Sequence, residues 1–165
     1  MTAAPLVIRR ATAADWDSIW PIFAAVVSVG DTYMYAPETS EPEARHLWMS
    51  PDVATYVAEL EGIVVGTYIL RINHGGPGSH VANAGYMVRP DAFGRGIATA
   101  MCEHSLAEAR AAGFRAMQFN AVISTNVRAV ALWQRLGFAI VGTVPEAFRH
   151  PELGYVGVHV MYRRL

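Results

Sequence analysis

The sequence predicts an α+β domain of about seven strands and four helices. Three observations carry that prediction. Two β-branched runs, residues 53–60 and 63–72, flank Glu61-Gly62 and read as a hairpin. A third strand-like run, residues 81–88, passes through a glycine turn into an alanine-rich stretch of helical composition at 97–112. Further on, a strand-like run and a short amphipathic helix precede two more apolar runs.

In chain order, residues 5–10 read as the first strand. Thr12 and Asp15 have the spacing of a capping box, which opens a helix to about Val27. Residues 30–37 form a loop rich in aromatic side chains, Tyr33 and Tyr35 among them. Ser40 and Glu43 repeat the capping pattern for a second helix, ending near Met49. The hairpin of 53–60 and 63–72 follows, and the glycine-rich segment 74–80 leads to the strand at 81–88. After the helix at 97–112 come a strand at 115–122 and a helix from 127. The last strands lie near 138–144 and 155–163, with the loop Phe148-Arg149-His150-Pro151 between them. No repeat, linker or low-complexity block divides residues 1–165, so a single domain is expected.

The chemistry concentrates in Val88-Arg89-Pro90-Asp91-Ala92-Phe93-Gly94-Arg95-Gly96-Ile97-Ala98-Thr99. Glycines at the start of a helix let a bulky ligand approach the backbone closely. The first helical turn has unpaired N–H groups and the positive end of the macrodipole, which suits a phosphate or pyrophosphate. Arg95 adds positive charge at the mouth. A nucleotide-triphosphate loop is excluded, since the chain has no Gly-Lys pair. A dinucleotide fingerprint fits poorly, with Thr99 at its last position and Gln118 and Asn120 where a carboxylate is needed.

A second pattern runs from Asn126 to Phe138. Ser124, Thr125 or Asn126 can cap a helix. Ala129, Leu132, Trp133 and Leu136 make an apolar stripe at three- and four-residue spacing. Gly137 suits the position after the helix, and Phe138 opens the next strand.

Composition narrows the function classes. With 13 basic and 14 acidic residues the net charge is −1, and no basic run invites nucleic acid. The single cysteine, Cys102, excludes an internal disulfide and accords with a reducing cytoplasm. The N-terminal residues do not have the pattern of a signal peptide, and no apolar stretch reaches membrane-spanning length. Six scattered histidines lack metal-binding spacing, so no metal is expected. Glu59, Glu61 and Glu103 read as solvated strand, turn and helix residues, which leaves no convincing general base. With 53% hydrophobic residues, an exposed patch and a homodimer are expected.

The stretch from Val88 to Thr99 resembles the acetyl-CoA-binding motif of the GNAT superfamily of N-acetyltransferases, Gln/Arg-x-x-Gly-x-Gly/Ala preceded by Val-x-Pro. Val88, Pro90, Gly96 and Ala98 match it, and Phe93 replaces the usual Gln or Arg. The run from Asn126 to Phe138 is similar to the family's Asn-x-x-Ala-x-x-Leu-Tyr-x-x-x-Gly-Phe, with Trp133 in place of the tyrosine. The placement of the Asn residues, with Asn-Ala-Gly ahead of the motif, is also similar to a fungal subgroup that acetylates proline analogues such as azetidine-2-carboxylate.

The resemblance covers nearly the whole chain and implies a layered α/β/α fold on a mixed, mostly antiparallel sheet. It implies acetyl-CoA as co-substrate, without a metal, and a cytoplasmic N-acetyltransferase acting on a small, amino-acid-like amine by direct attack in a ternary complex. Cofactor binding then falls to the backbone of Tyr86, Met87 and Val88, to Phe93, Gly94, Arg95, Gly96, Ile97, Ala98 and Thr99, and to Asn126 and Trp133. Asn126 contacts the pantetheine arm or the acceptor side. An indole cannot deliver a proton as the family's tyrosine does, so Trp133 leaves the thiolate to another acid or to depart unaided. Asn83 and Asn120 either make structural hydrogen bonds or line the acceptor site with Asn126. Tyr33 and Tyr35 would form one wall of that site, and Arg149 would meet a carboxylate. A non-catalytic acyl-CoA sensor and a protein N-terminal acetyltransferase are the rival readings.

Overall fold

The computed structural model describes residues 5–165. The elements are β1 (Val7–Arg10), α1 (Trp16–Val27), α2 (Glu41–Met49), β2 (Ala54–Leu60), β3 (Ile63–Ile72), β4 (Val81–Val88), α3 (Ile97–Ala111), β5 (Ala116–Ile123), α4 (Val127–Arg135), β6 (Ala139–His150) and β7 (Gly154–Arg164). Both capping boxes form: the Asp15 carboxylate accepts from the Thr12 amide at 2.6 Å, and Glu43 accepts from the Ser40 amide at 2.9 Å. A short 3-10 turn, Ala13–Asp15, precedes α1. The β2–β3 hairpin turns on Glu61 and Gly62, both left-handed (φ 53° and 77°), as a two-residue loop twisted to match its strands requires.

The seven strands make one sheet in the order β1-β2-β3-β4-β5-β7-β6, antiparallel everywhere except between β4 and β5. Strand alternation sorts side chains to two faces. On one, Tyr56, Tyr68, Val88, Met117 and Phe119 pack against α3 and Trp133 of α4. On the other, Val57, Ile69 and Met87 pack against Trp16, Ile19 and Phe23 of α1 and Trp48 of α2.

Two expectations change. The final strands are longer than their apolar runs, because β6 continues past Pro145 through an irregularity between Val144 and Phe148, where Glu146 is left-handed (φ 52°). Phe148, Arg149 and His150 therefore belong to β6, and the turn begins only at Pro151. Glu59 is no solvated strand residue: it joins Asp15 on the Arg9 guanidinium, at 2.5 Å and 2.8 Å, tying β1 to β2 and to the start of α1.

Candidate active site

The parallel pairing of β4 and β5 covers only Val81↔Ala116 and Ala82↔Met117. Beyond it the ladder stops, leaving a gap between β4 and β5 on the side of the glycine turn after β4. The base is closed by Asn83, whose side-chain N–H donates to the Gln118 carbonyl at 2.9 Å. Register decides which backbone groups face the gap. Arg89 donates to Val65 and Asn73 donates to Val81, so the odd residues of β4 bond to β3. The even ones, Ala84, Tyr86 and Val88, turn their N–H and C=O toward β5. Met87, expected beside them, instead presents its amide to Thr67 of β3 and its side chain to the α1–α2 core.

At the open end, Ala92 is buried and anchors the turn, while Phe93, Gly94, Arg95 and Gly96 are exposed. Gly94 and Gly96 are left-handed (φ 78° and 76°), and a Cβ built on either meets nothing within 4 Å. Gly96 caps α3, whose first backbone bond runs from Ala100 N–H to the Gly96 carbonyl. The amides of Ile97, Ala98 and Thr99 are thus free of helical partners. The Ile97 side chain is buried beneath them beside Gly66, where a Cβ would sit 3.1 Å away, so a glycine in β3 lets α3 lie close to the sheet.

Two aromatic walls line the gap. Toward α3 and α4, Tyr86 lies 5.0 Å from Trp133, which meets Phe119 edge-on at 5.1 Å. The Tyr86 hydroxyl is paired with Ser105 at 2.7 Å. Ser105 donates to the Cys102 carbonyl, so the phenol is the donor in that pair. Burial raises the Tyr86 phenol well above its ordinary range and pushes the Cys102 thiol up to about 11. Toward α1 and α2, Tyr33 stacks on Tyr35 at 5.4 Å and donates to the Tyr86 carbonyl at 2.7 Å. A Cβ on Gly85 would lie 3.4 Å from that hydroxyl, so a glycine in β4 leaves room for it. Burial also raises Tyr33 and Tyr35.

The polar residues of this second face form one chain. Gln118 donates to Asn120 at 3.0 Å, Asn120 donates to Asn73 at 2.7 Å, and Arg71 donates to Asn83 at 3.3 Å. Asn126 caps α4 by accepting from the Ala129 amide at 3.4 Å. Beside it, the Thr125 hydroxyl oxygen is buried with no partner among the described residues, the kind of orphan a ligand satisfies.

The structure thus brings Tyr33, Tyr35, Asn83 and Asn120 to one face of the gap. Arg149 is not with them: it is exposed and pairs with Tyr155 in the β6–β7 ladder. Its neighbour Phe148 faces Ile123 and Val158, so alternation turns Arg149 the other way. Arg71 and Thr125 were missed by sequence reasoning. Arg71 did give a signal, as the one charged side chain in the apolar run 63–72; Thr125 gave none beyond its place in a capping turn.

A model of the Acetyltransferase (GNAT) family matches residues 17–138. The chain belongs to that family. A GCN5-related N-acetyltransferase from Kribbella flavida is 51% identical and superposes with a TM-score of 0.93, over 97% of this chain and 98% of its own. A GNAT-superfamily phosphinothricin acetyltransferase from Sinorhizobium meliloti, solved in complex with acetyl-CoA, shares the fold. It is 24% identical, with a TM-score of 0.85 over 97% of this chain and 88% of its own. The N-acetyltransferase aca1 of Schizosaccharomyces pombe is 31% identical over 112 residues, 67% of this chain and 54% of that protein. The chain therefore spans about half the length of that curated relative. Membership carries the enzyme class, an N-acetyltransferase with acetyl-CoA as co-substrate. Among the described residues, no helix is long and apolar enough to cross a membrane.

Proposed function

We propose that this GNAT domain transfers acetyl from acetyl-CoA to the amine of a small, amino-acid-like acceptor by direct attack in a ternary complex. The observation that carries this reading is the gap between β4 and β5, continuous with the glycine turn at one end and walled by Tyr33 and Tyr35 on one face.

The residues present suit acetyl-CoA, which supplies an activated acyl carbonyl and a thiolate leaving group. The empty space over Gly94 and Gly96 and the free amides of Ile97, Ala98 and Thr99 suit its pyrophosphate, with Arg95 at the mouth and Phe93 exposed beside it. The inward amides of Tyr86 and Val88 offer strand-like hydrogen bonds to the pantetheine arm and donors to an oxygen gaining negative charge. Asn126, Thr125 and Trp133 complete that side. Asn83 and Asn120 orient the acceptor from the opposite face.

Proton inventory favours direct attack. Cys102 is fully buried and stays a thiol, so it offers no acyl carrier. Tyr33 and Tyr86 hold their protons at neutral pH. With these two phenols unavailable as bases, we assign the acceptor ammonium's proton loss before attack, and the thiolate's protonation, to solvent. The exposed edge of β6, with Val141 and Val144 solvent-facing, is the proposed surface of a homodimer. A cytoplasmic setting suits the free cysteine.

The deciding experiment is thiol release from acetyl-CoA with a panel of free amino acids, proline analogues, polyamines and short peptides. Release with small amino-acid-like amines is the expected result. Release only with peptides would make the protein an N-terminal acetyltransferase. Silence across the panel, with acetyl-CoA still raising Tm, would leave a non-catalytic acyl-CoA-binding domain.

A further inference from the structure

Arg71 is the charged group of the acceptor face, and its charge is unspent. It sits near the end of β3, opposite Asn83 in the β3–β4 ladder. Its Nε donates to the Asn83 side chain at 3.3 Å, which is its one side-chain hydrogen bond among the described residues. It forms no ion pair among them. A guanidinium carries five N–H donors in a planar fork, so both terminal nitrogens are available. Asp52, an acid whose charge couples to it, is held by the Ser50 hydroxyl at 2.7 Å. Tyr35, kept protonated by burial, lies within reach of the same positive charge.

The surroundings favour one kind of ligand. The arginine is half-buried and held against Asn83, which is 8% exposed and clasped in turn to β5. On the same face of β4, two residues further along, the Tyr33 hydroxyl covers Gly85 and donates to the Tyr86 carbonyl, which has a second lone pair on the gap side. Residues two apart on a strand are separated by about 7 Å. A flexible arginine side chain shortens that span to one suited to an amine and a carboxylate on a single carbon.

We propose that Arg71 is the specificity-determining residue of the acceptor side, its open guanidinium edge binding the carboxylate of a free α-amino acid whose amine faces the gap beside the Tyr86 carbonyl. This rests on the acetyl-transfer reading above and narrows it: peptide N-termini, which have an amide where the carboxylate should be, are poor acceptors. One planar, singly charged fork beside a neutral amide matches a carboxylate bidentately. Asn83 then positions the guanidinium rather than touching the acceptor's reacting atoms.

The test compares the free amino acids with their carboxamides, as acceptors in thiol release and as ligands of the CoA-bound protein by calorimetry. In the wild-type protein the acid is preferred. In Arg71→Met the ratio of kcat/KM for acid over carboxamide falls about 100-fold, the effect of losing a charge-assisted pair, and the fall is in KM. Arg71→Lys recovers part of the ratio, and both variants keep the acetyl-CoA-induced rise in Tm. Equal losses for acid and carboxamide, or turnover of peptides alone, would overturn the assignment while leaving acetyl transfer in place. Should no amine release thiol, the transfer reading fails separately. Calorimetry then decides: carboxylate-dependent binding that vanishes in Arg71→Met sustains the proposal, and no such binding ends it.

Discussion

Asn83 is the clasp where the sheet parts, and removing it tests whether the gap has a built base. Its side chain is 8% exposed and donates to the Gln118 carbonyl at 2.9 Å, one residue beyond the last β4–β5 ladder pair. Truncation in Asn83→Ala strands that carbonyl where β5 has already left β4. An unsatisfied acceptor in a buried setting costs about 1–3 kcal/mol. The second bond, from Arg71 at 3.3 Å, is long, and its donor is half-buried and can rehydrate, so its loss adds only about 0.5 kcal/mol. The expected total is about 2 kcal/mol, or a Tm lower by about 4–8 °C for a domain of this size. Urea denaturation monitored by tryptophan fluorescence measures it directly. Asn83→Asp separates the two bonds: the carboxylate keeps Arg71 but opposes the Gln118 carbonyl. It should therefore be at least as destabilised at pH 7 and recover partly near pH 4, where the protonated acid can donate. A loss below about 0.5 kcal/mol in both variants would show that nothing depends on the clasp.

Three further outcomes follow from the same geometry. Gly96→Ala should cost about 1 kcal/mol of stability, since its φ of 76° is unfavourable for any residue with a Cβ. It should weaken acetyl-CoA at least tenfold by calorimetry, because the new methyl projects into the open space at the α3 N-terminus; unchanged affinity would place the pyrophosphate elsewhere. Cys102→Ala should retain the wild-type kcat within about threefold while losing about 1 kcal/mol, as a buried thiol outside the chemistry predicts; abolished turnover with normal acetyl-CoA binding would restore a covalent carrier. The Arg9 guanidinium, bonded to Asp15, holds that carboxyl at about 2 against an ordinary 3.8. A depressed carboxyl stabilises the fold above its unfolded value and loses that contribution as pH falls through about 2. Arg9 is partly exposed, so solvent screening reduces the effect, and Asp15→Asn should cost about 1 kcal/mol at pH 6 and nothing near pH 2. A constant difference across that range would refute the assignment.

Most of the architecture was legible in the chain because it is locally encoded. Ser40 with Glu43, Thr12 with Asp15, and Glu61-Gly62 each specify an end or a turn from a few adjacent residues, and each formed where it was read. The glycine turn before α3 and the Asn126 cap are local signals of the same kind. Where β6 ends was not local: Pro145 and the left-handed Glu146 interrupt the apolar pattern, yet pairing with β7 carries the strand on to His150. That error put Arg149 in a loop over the acceptor, whereas strand alternation turns it away from Phe148.

The sequence by itself determined the family, the element order and the turn that suits a pyrophosphate, since all three reside in residue types at short, fixed spacing. Only the tertiary structure decided which side chains and backbone groups share the gap. Which β4 amides face the gap depends on register with β3, which turns Met87 to β3 and Tyr86 and Val88 to the gap. That Arg71, Asn83, Tyr33 and Tyr35 share one face depends on where β4 and β5 part and on how the α1–α2 loop folds over Gly85. Residues from 33 to 120 meet there through long-range pairing, and no short-range pattern in a single sequence records such a meeting.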